Sequence, residues 1–470
     1  MQLFSHQQIG QLWLRRKSFA LLADEMGLGK SAQIITASDA LRPPKIIVLC
    51  PSIARFTWER EFEKFSLFSP SVELVLKRKQ QLYDKRDVVV CSYDLLICPD
   101  IYYQLAAYRN TLLVLDESHF LKEPKSKRTQ AVFGLKVDAR TGLAARAAVC
   151  WAASGTPAPN YSHEFYSLLR AAKQVKCTYE AFQQRYTVTR QVRIGERRPV
   201  ANKNQDQLRK LLHPIMLRRT KKEVFPDMPE LIYSELPVDT SDANPIPYFP
   251  QKFLKGDTTG AKLKKEVTLA DETLLEMLKE LEDDPAAQVA LLERDTKHNT
   301  TLQRYIGLCK IEAAAEWSEQ FLMNNKDEKL VIFAIHRDVI ESLRQRLRIF
   351  NPLIIYGGHS AEKKEKRRQY FMERYKHRIM ICNIDAASTN IDLSAASNEL
   401  FVEQKWSPYV NHQAAMRCHR LEVEKTVNAY FMSMRGTVDE AIARVMTRKL
   451  TEMTDIIEKP SIDERLGELL

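Results

Sequence analysis

The chain has 470 residues, 44% of them apolar, and Lys plus Arg exceed Asp plus Glu by 71 − 60 = 11, with a pI near 9.1. That length exceeds one ordinary core and predicts two or three domains; no run of about 18 apolar residues marks a membrane helix, and no charged-then-apolar opening marks a secretion signal. The basic surplus favours a polyanionic partner, while eight scattered cysteines without a C-x-x-C pair argue for reduced thiols in a cytosolic or nuclear-type compartment and against a zinc site.

"LFSHQQIG" (Leu3–Gly10) comes first, followed by a buried strand at residues 19–22 and the loop Asp24–Gly29. A phosphate-binding loop usually has glycine five residues before the glycine of Gly-Lys-Ser; here Gly29-Lys30-Ser31 has Asp24 there. The residues from Ser31 read as a helix. A strand, a glycine turn and a helix N-terminus gather backbone N–H groups around one point, which suits phosphate. Lys30 can reach the β and γ phosphates, Ser31 can ligate Mg²⁺, and Gln7 can read adenine. Alone, the segment also reads as a glycine turn that caps a helix.

Residues 46–65 predict a strand, then Pro51-Ser52 and an amphipathic helix; residues 88–96 predict a strand with Ser92-Tyr93 at its end. Thr111–Leu115 predicts a buried strand that delivers Asp116-Glu117-Ser118-His119 at its carboxyl end. Asp116 can hold Mg²⁺ and Glu117 can orient and deprotonate an attacking water. These acids, combined with Gly29-Lys30-Ser31, turn the reading from a capping turn to a nucleotide site. "WAASGTP" (Trp151–Pro157) is a strand ending in Ser154-Gly155-Thr156. Residues 190–200 read as two short strands about Gly195 with four arginines: a DNA-touching prong, or a plain surface hairpin. "PIMLRRTKKEV" (Pro214–Val224) is basic. Residues 234–305 offer a Pro-rich loop and an acidic amphipathic helix pair, read as a structural insertion. A second set of strand–helix units opens at Lys329. In it, Glu362–Arg378 is strongly basic, either a DNA-binding face or a charged helix with a Tyr370/Phe371 core side. Arg417 and Arg420, three apart, are expected on one helix face. Thr437 is expected to cap a bracing helix that runs to Ile457.

In this order the blocks resemble the Swi/Snf-type ATPases of helicase superfamily two, over about residues 3–450. That family's loop reads much like Asp-Glu-Met-Gly-Leu-Gly-Lys-Ser, as residues 24–31 do. "GLCKIEAAAEW", "VIFAIHRDVIESL" and "FVEQKWSPYVNHQAAMRCHR" with "RGTVDEAI" are similar to the compact annealing-helicase or fork-remodelling branch, in its phage or bacterial motor-only form. The resemblance implies an α/β fold of two RecA-like lobes, each a parallel sheet flanked by helices, with helical insertions. Lobe one would span 1–225, with a protrusion at about 160–222. A linker and helical insertion would span 226–310, lobe two 311–446 and a helical tail 447–470.

The resemblance also implies ATP and Mg²⁺ in a cleft between lobes. Gln7, Gly27, Gly29, Lys30, Ser31, Asp116 and Glu117 would come from lobe one. Arg417 and Arg420 would come from lobe two, one of them a finger on the γ-phosphate. Implied DNA contacts are Ser52, Trp58, Ser92, Tyr93 and the stretch Lys122 to Arg128, then His336, Gly357-Gly358 and Ser388-Thr389. Such contacts grip phosphates without reading sequence. Two departures concern coupling between lobes: Ala387, Ser388 and Asn390 stand where the family has Gly-Gly-x-Gly, and Leu421-Glu422-Val423 replaces Ile-Gly-Gln. Asp392 is a candidate ribose or inter-lobe contact. The implied function is a monomeric, cytoplasmic, DNA-dependent ATPase that translocates on duplex DNA and remodels forks and junctions, with no membrane partner. Alternatives are a translocase that displaces protein from DNA, an RNA helicase, and a non-catalytic DNA-binding module.

Overall fold

The computed structural model describes residues 3–444 apart from 53, 135–141, 159–160, 194–195, 240–296, 388–390, 406–407, 421–422, 436, 438 and 441. They fall into two compact units, one up to Pro226 and one from Asp227.

The first unit is built on β1 (Phe19–Leu22), β2 (Ile46–Cys50), β3 (Val72–Leu74), β4 (Val88–Ser92), β5 (Thr111–Asp116) and β6 (Ala147–Ala153), with β9 (Met216–Leu217) at one edge. Their order is β3-β4-β2-β5-β6-β1-β9 and every pairing is parallel. Runs such as IIVLC and VVVCS are buried at every position, because crossover helices cover both faces of a parallel sheet. The strand period of two then sorts the core into two layers. Leu21, Ile47, Leu49, Leu113 and Leu115 pack on one face, and Leu22, Ile46, Val48, Leu112 and Val114 on the other. Three helices matter below: α1 (Ser5–Arg15), α2 (Lys30–Leu41) and α3 (Ala54–Phe65). Between β6 and β9 the chain forms a separate antiparallel hairpin, β7 (Thr187–Arg193) and β8 (Glu196–Asn202). The expected pair of strands is present and reaches beyond 190–200; Gly195 lies outside the described residues.

The second unit repeats the plan. Strands β10 (Leu231–Val238), β11 (Leu330–Ala334), β12 (Leu353–Ile355), β13 (Ile379–Asn383), β14 (Asn398–Phe401) and β15 (Val427–Met434) form an all-parallel sheet ordered β10-β15-β14-β11-β13-β12. The segment 226–310, read as linker and insertion, therefore begins with an edge strand that pairs with β15 over eight residues. The acidic helix pair and the tail beyond 444 lie outside the described residues. Among the described residues, no helix is long and apolar enough to cross a membrane.

Glu399, in the middle of β14, is fully buried beside Cys418, and burial holds its carboxyl well above the usual carboxylate range. A raised folded-state pKa stabilises below the unfolded value of 4.5, and that stability is lost as pH rises through the folded value. Glu399→Gln should therefore gain on the parent as pH rises within that window, by roughly 1.4 kcal/mol per pH unit. Urea unfolding at pH 5 and pH 8 checks this; a difference independent of pH contradicts it.

Candidate nucleotide-binding site

Strands β1, β5 and β6 are neighbours in the first sheet, so the loops leaving their carboxyl ends converge. The β1 loop turns through two left-handed glycines, Gly27 at φ 92° and Gly29 at φ 72°. Gly29 is the N-cap of α2, and a Cβ there would overlap the Gln7 side-chain amide. Gln7, on α1, is buried with its amide 3.5 Å from the Leu28 carbonyl; His6 bonds the same oxygen at 3.0 Å. The residue expected to read adenine thus stands against the phosphate loop. Lys30 opens α2, with Ser31 next and half-buried. The Lys30 ammonium donates to the Asp24 and Glu25 carbonyls at 2.8 and 3.2 Å, folded over its own loop. Burial lowers its pKa, while Glu117, Asp24 and Asp116 pull it back up.

The non-glycine at position 24 has a structural cause. Asp24 is fully buried, and its carboxylate accepts from Arg219 Nε at 2.9 Å, from Arg219 Nη2, and from Gln33 Nε2 at 3.0 Å. Arg219 Nη2 also donates to Gln33 Oε1 at 2.8 Å. Position 24 is therefore an anchor for the loop, and left-handed freedom is needed only at Gly27 and Gly29. Arg219→Ala would strand a buried carboxylate and should cost about 3–5 kcal/mol. Denaturant unfolding tests this, and a loss under about 1 kcal/mol, the size of a surface pair, contradicts it. The sequence reading noted the basic stretch around Arg219 but not this role; a buried acid in the loop was the signal that a cation had to be found for it.

Asp116 ends β5 and Glu117 follows at φ 49°, a left-handed conformation sparsely used by non-glycine residues and concentrated at functional sites. Asp116 Oδ2 accepts from Trp58 Nε1 at 2.9 Å and Oδ1 from the Glu117 amide at 3.0 Å. Its main-chain oxygen accepts from the Tyr93 hydroxyl at 2.7 Å. Burial, and then the Glu117 charge, push the Asp116 carboxyl up to about 6. His119 Nδ1 lies 3.3 Å from Glu117 Oε2 and 3.1 Å from Ser154 Oγ, which ties the ends of β5 and β6 together. Gly155 follows, close enough to Met26 that a Cβ would clash, and Lys30 Nζ lies 3.6 Å from that point.

These groups fit a nucleotide with a divalent cation. The Asp116 carboxyl, pushed up by burial and by the Glu117 charge, would be relieved by a cation, and the Ser31 hydroxyl and Asp116 carboxylate are hard oxygen donors. The buried hydroxyls of Ser118 and Thr156 have no hydrogen-bond partner among the described residues. Those residues also hold no cluster of three or more His, Cys, Asp or Glu that would form an all-protein metal cage. Mg²⁺ commonly binds through one or two carboxylates and the phosphates of its substrate.

The residues read as DNA contacts separate into groups. Trp58 and Tyr93 are each 2% exposed and direct their polar atoms to Asp116, so they support the acid and present no outer surface. Ser92 is buried and caps the short helix Tyr93–Leu96. Lys122 is bound to Glu164 at 3.0 Å. His336, the N-cap of the helix Arg337–Arg346, is held by Glu403 at 2.6 Å. Ser52 and Arg128 are half-buried, Gly358 is exposed, and Ser388 and Thr389 lie outside the described residues. Arg417 and Arg420 do not share a helix face. The helix Pro408–Ala415 ends first, and Arg417 N and Cys418 N bond three residues back in a tighter turn. Arg417 is 8% exposed; Arg420 donates to the Ile391 carbonyl at 3.2 Å and lies 4.0 Å from Asp392.

Comparison with known proteins gives two family matches. The SNF2-related domain matches residues 6–286, and the helicase conserved C-terminal domain matches residues 313–422. An uncharacterized ATP-dependent helicase of Mycoplasma genitalium is 25% identical over 98% of this chain and 42% of its own length. The SWI/SNF-related matrix-associated actin-dependent regulator of chromatin subfamily A-like protein 1 of Xenopus laevis is 28% identical over 93% of this chain and 42% of its own. The mouse DNA annealing helicase and endonuclease ZRANB3 is 24% identical over 93% of this chain and 39% of its own. The chain thus spans less than half the length of these three relatives. Among solved structures, the Sulfolobus solfataricus SWI2/SNF2 ATPase core in complex with dsDNA aligns over 99% of this chain and 97% of that one, at 19% identity and a TM-score of 0.43.

Proposed function

From the match over residues 6–286 the chain belongs to the SNF2-related domain family, and we propose that it is a DNA-dependent ATPase that translocates on duplex DNA and remodels branched structures such as forks and junctions. The observation that carries this is the convergence of Lys30, Asp116 and Glu117 beyond the carboxyl ends of β1 and β5, which flank β6, with Lys30 desolvated and Glu117 linked to Ser154 through His119.

Each residue then has a role. Gln7, packed against Gly29, recognises the base. The α2 amides behind Gly29 and the Lys30 ammonium hold the phosphates. Ser31 and Asp116 would hold Mg²⁺, which when bound would neutralise phosphate charge during transfer. Trp58 and Tyr93 fix Asp116 in place. Glu117, with its backbone held left-handed, orients the attacking water and accepts its proton. The family resemblance alone assigns Arg417 and Arg420 the role of supplying positive charge to the transferring phosphoryl group. Among the proposed DNA contacts, Ser52, Arg128 and Gly358 retain accessible surface.

The branched-DNA substrate is supported by the sequence blocks similar to the annealing-helicase branch and by the relative of that name. Steady-state ATP hydrolysis, compared without nucleic acid and with single strand, duplex, fork, four-way junction and RNA, tests the proposal. Fork or junction stimulation above plain duplex supports remodelling of branches. Equal stimulation by every duplex leaves a general translocase that displaces protein from DNA.

A further inference from the structure

The β7–β8 hairpin stands apart from both large sheets. A lone two-stranded hairpin is marginal in water, so its root must be held by something else. Thr187 and Asn202 are the first and last residues of the two strands and face each other in the register. Both are gripped by the 3₁₀ turn Ser162–Phe165. The Ser162 amide donates to Asn202 Oδ1 at 2.7 Å, and His163 Nδ1 meets Thr187 Oγ1 at 3.2 Å. The next residue, Glu164, reaches the other way: its Oε1 accepts from Lys122 Nζ at 3.0 Å. Lys122 closes the 3₁₀ turn Ser118–Leu121 that begins directly after Glu117, with its amide bonded to the His119 carbonyl at 3.2 Å.

Ser162, His163 and Glu164 are thus three successive residues that bond to β8, to β7 and to the catalytic-acid loop. All three are buried, as is Thr187. The Lys122–Glu164 bond joins a half-exposed ammonium to a carboxylate with a 7% exposed side chain, so it is shielded from solvent on the acid's side. Tyr161 stacks on the His163 ring at 5.8 Å, and burial lowers the pKa of that imidazole. Beneath them Tyr166, Phe182, Tyr186 and Leu208 form a small core under the hairpin root.

The hairpin itself carries the other half of the argument. Its register places Arg190 opposite Arg198. Four arginines, Arg190, Arg193, Arg197 and Arg198, lie in its two short strands, and such a density of positive charge suits a polyanion. A phosphate backbone has the required chemistry and charge density.

We infer that the β7–β8 hairpin is a nucleic-acid sensor, and that the turn Ser162–Phe165 transmits its position to the loop carrying Glu117, raising ATP turnover when a phosphate backbone lies on the hairpin. Lys122 and Glu164 are then positioning residues, and Lys122 acts through Glu164 instead of touching DNA. This rests on the DNA-dependent ATPase reading above.

The test uses Lys122→Met/Glu164→Met, which removes both partners together and so leaves no buried charge unpaired, with Lys122→Arg as the conservative control. Thr187→Val removes one of the two hairpin-side bonds of the bracket with almost no change of shape. For each variant, basal ATP hydrolysis, hydrolysis at saturating duplex, duplex Kd by fluorescence anisotropy at fixed salt, and Tm are measured. The expected result is an unchanged basal rate and Kd, with stimulation at saturating duplex reduced about tenfold, a size usual for coupled sites; Lys122→Arg keeps its stimulation. Full stimulation in a folded double variant and in Thr187→Val overturns the inference while leaving the ATPase reading intact. A raised Kd with normal stimulation at saturation also overturns it and returns Lys122 to the DNA surface. A wild-type protein that no nucleic acid stimulates overturns the ATPase reading and this inference together.

Discussion

Glu117→Gln is expected to bind ATP and fail to turn it over, with kcat lowered about 10²–10⁴-fold, the usual contribution of a general base. The substitution preserves size and the capacity to hydrogen-bond, so His119 and Ser154 keep their places. What it removes is a proton acceptor at the end of β5. Glu117 is suited to that role because its left-handed backbone turns it out of the strand direction while His119 stands 3.3 Å away. Removing its charge also relieves Asp116, whose carboxyl is pushed up to about 6 partly by Glu117, so binding should hold or tighten. Single-turnover hydrolysis with a binding measurement on a fluorescent ATP analogue separates the two effects. Wild-type turnover in a folded Glu117→Gln protein rules out Glu117 as the base.

Lys30→Ala is expected to lose both binding and turnover. The ammonium is held in a desolvated position by the Asp24 and Glu25 carbonyls. Charge-assisted hydrogen bonds contribute about 1.5–3 kcal/mol, which corresponds to roughly 10–100-fold in affinity for the phosphates, and kcat should fall as well because the transferring group loses a fixed cation. Lys30→Arg should not rescue, since the planar guanidinium cannot enter a turn fitted to a compact ammonium. Isothermal titration with Mg-ATP and steady-state kinetics supply the numbers; full activity in Lys30→Ala would rule out Lys30 as the cation that holds the phosphates.

What the sequence made legible follows from the range of the interactions involved. The central strands β2, β4, β11 and β13 announce themselves as short apolar runs because they are buried on both faces. Asp116 and Glu117 stand out because such a run delivers them at its end. Asp24 looked like a broken motif because its partner, Arg219, lies 195 residues away, and no local pattern pairs them. Trp58 was read as a DNA contact because an aromatic on an amphipathic helix has no sign of its own; only the fold shows its indole aimed at Asp116. The strand β10 was hidden for a different reason. It is an edge strand of mixed burial containing Pro237, and a proline is tolerated there because an edge leaves one row of N–H groups unpaired. The helical spacing of Arg417 and Arg420 misled because the helix stops at Ala415, and three-residue spacing has no facial meaning in the turn that follows.

The central claim, that this chain hydrolyses ATP in response to DNA, is tested most directly by steady-state ATP hydrolysis at fixed salt across the nucleic-acid series. The account predicts a low basal rate raised by duplex and raised further by fork or four-way junction, with RNA inert. Stimulation by RNA alone, or a rate that no nucleic acid changes, would contradict it.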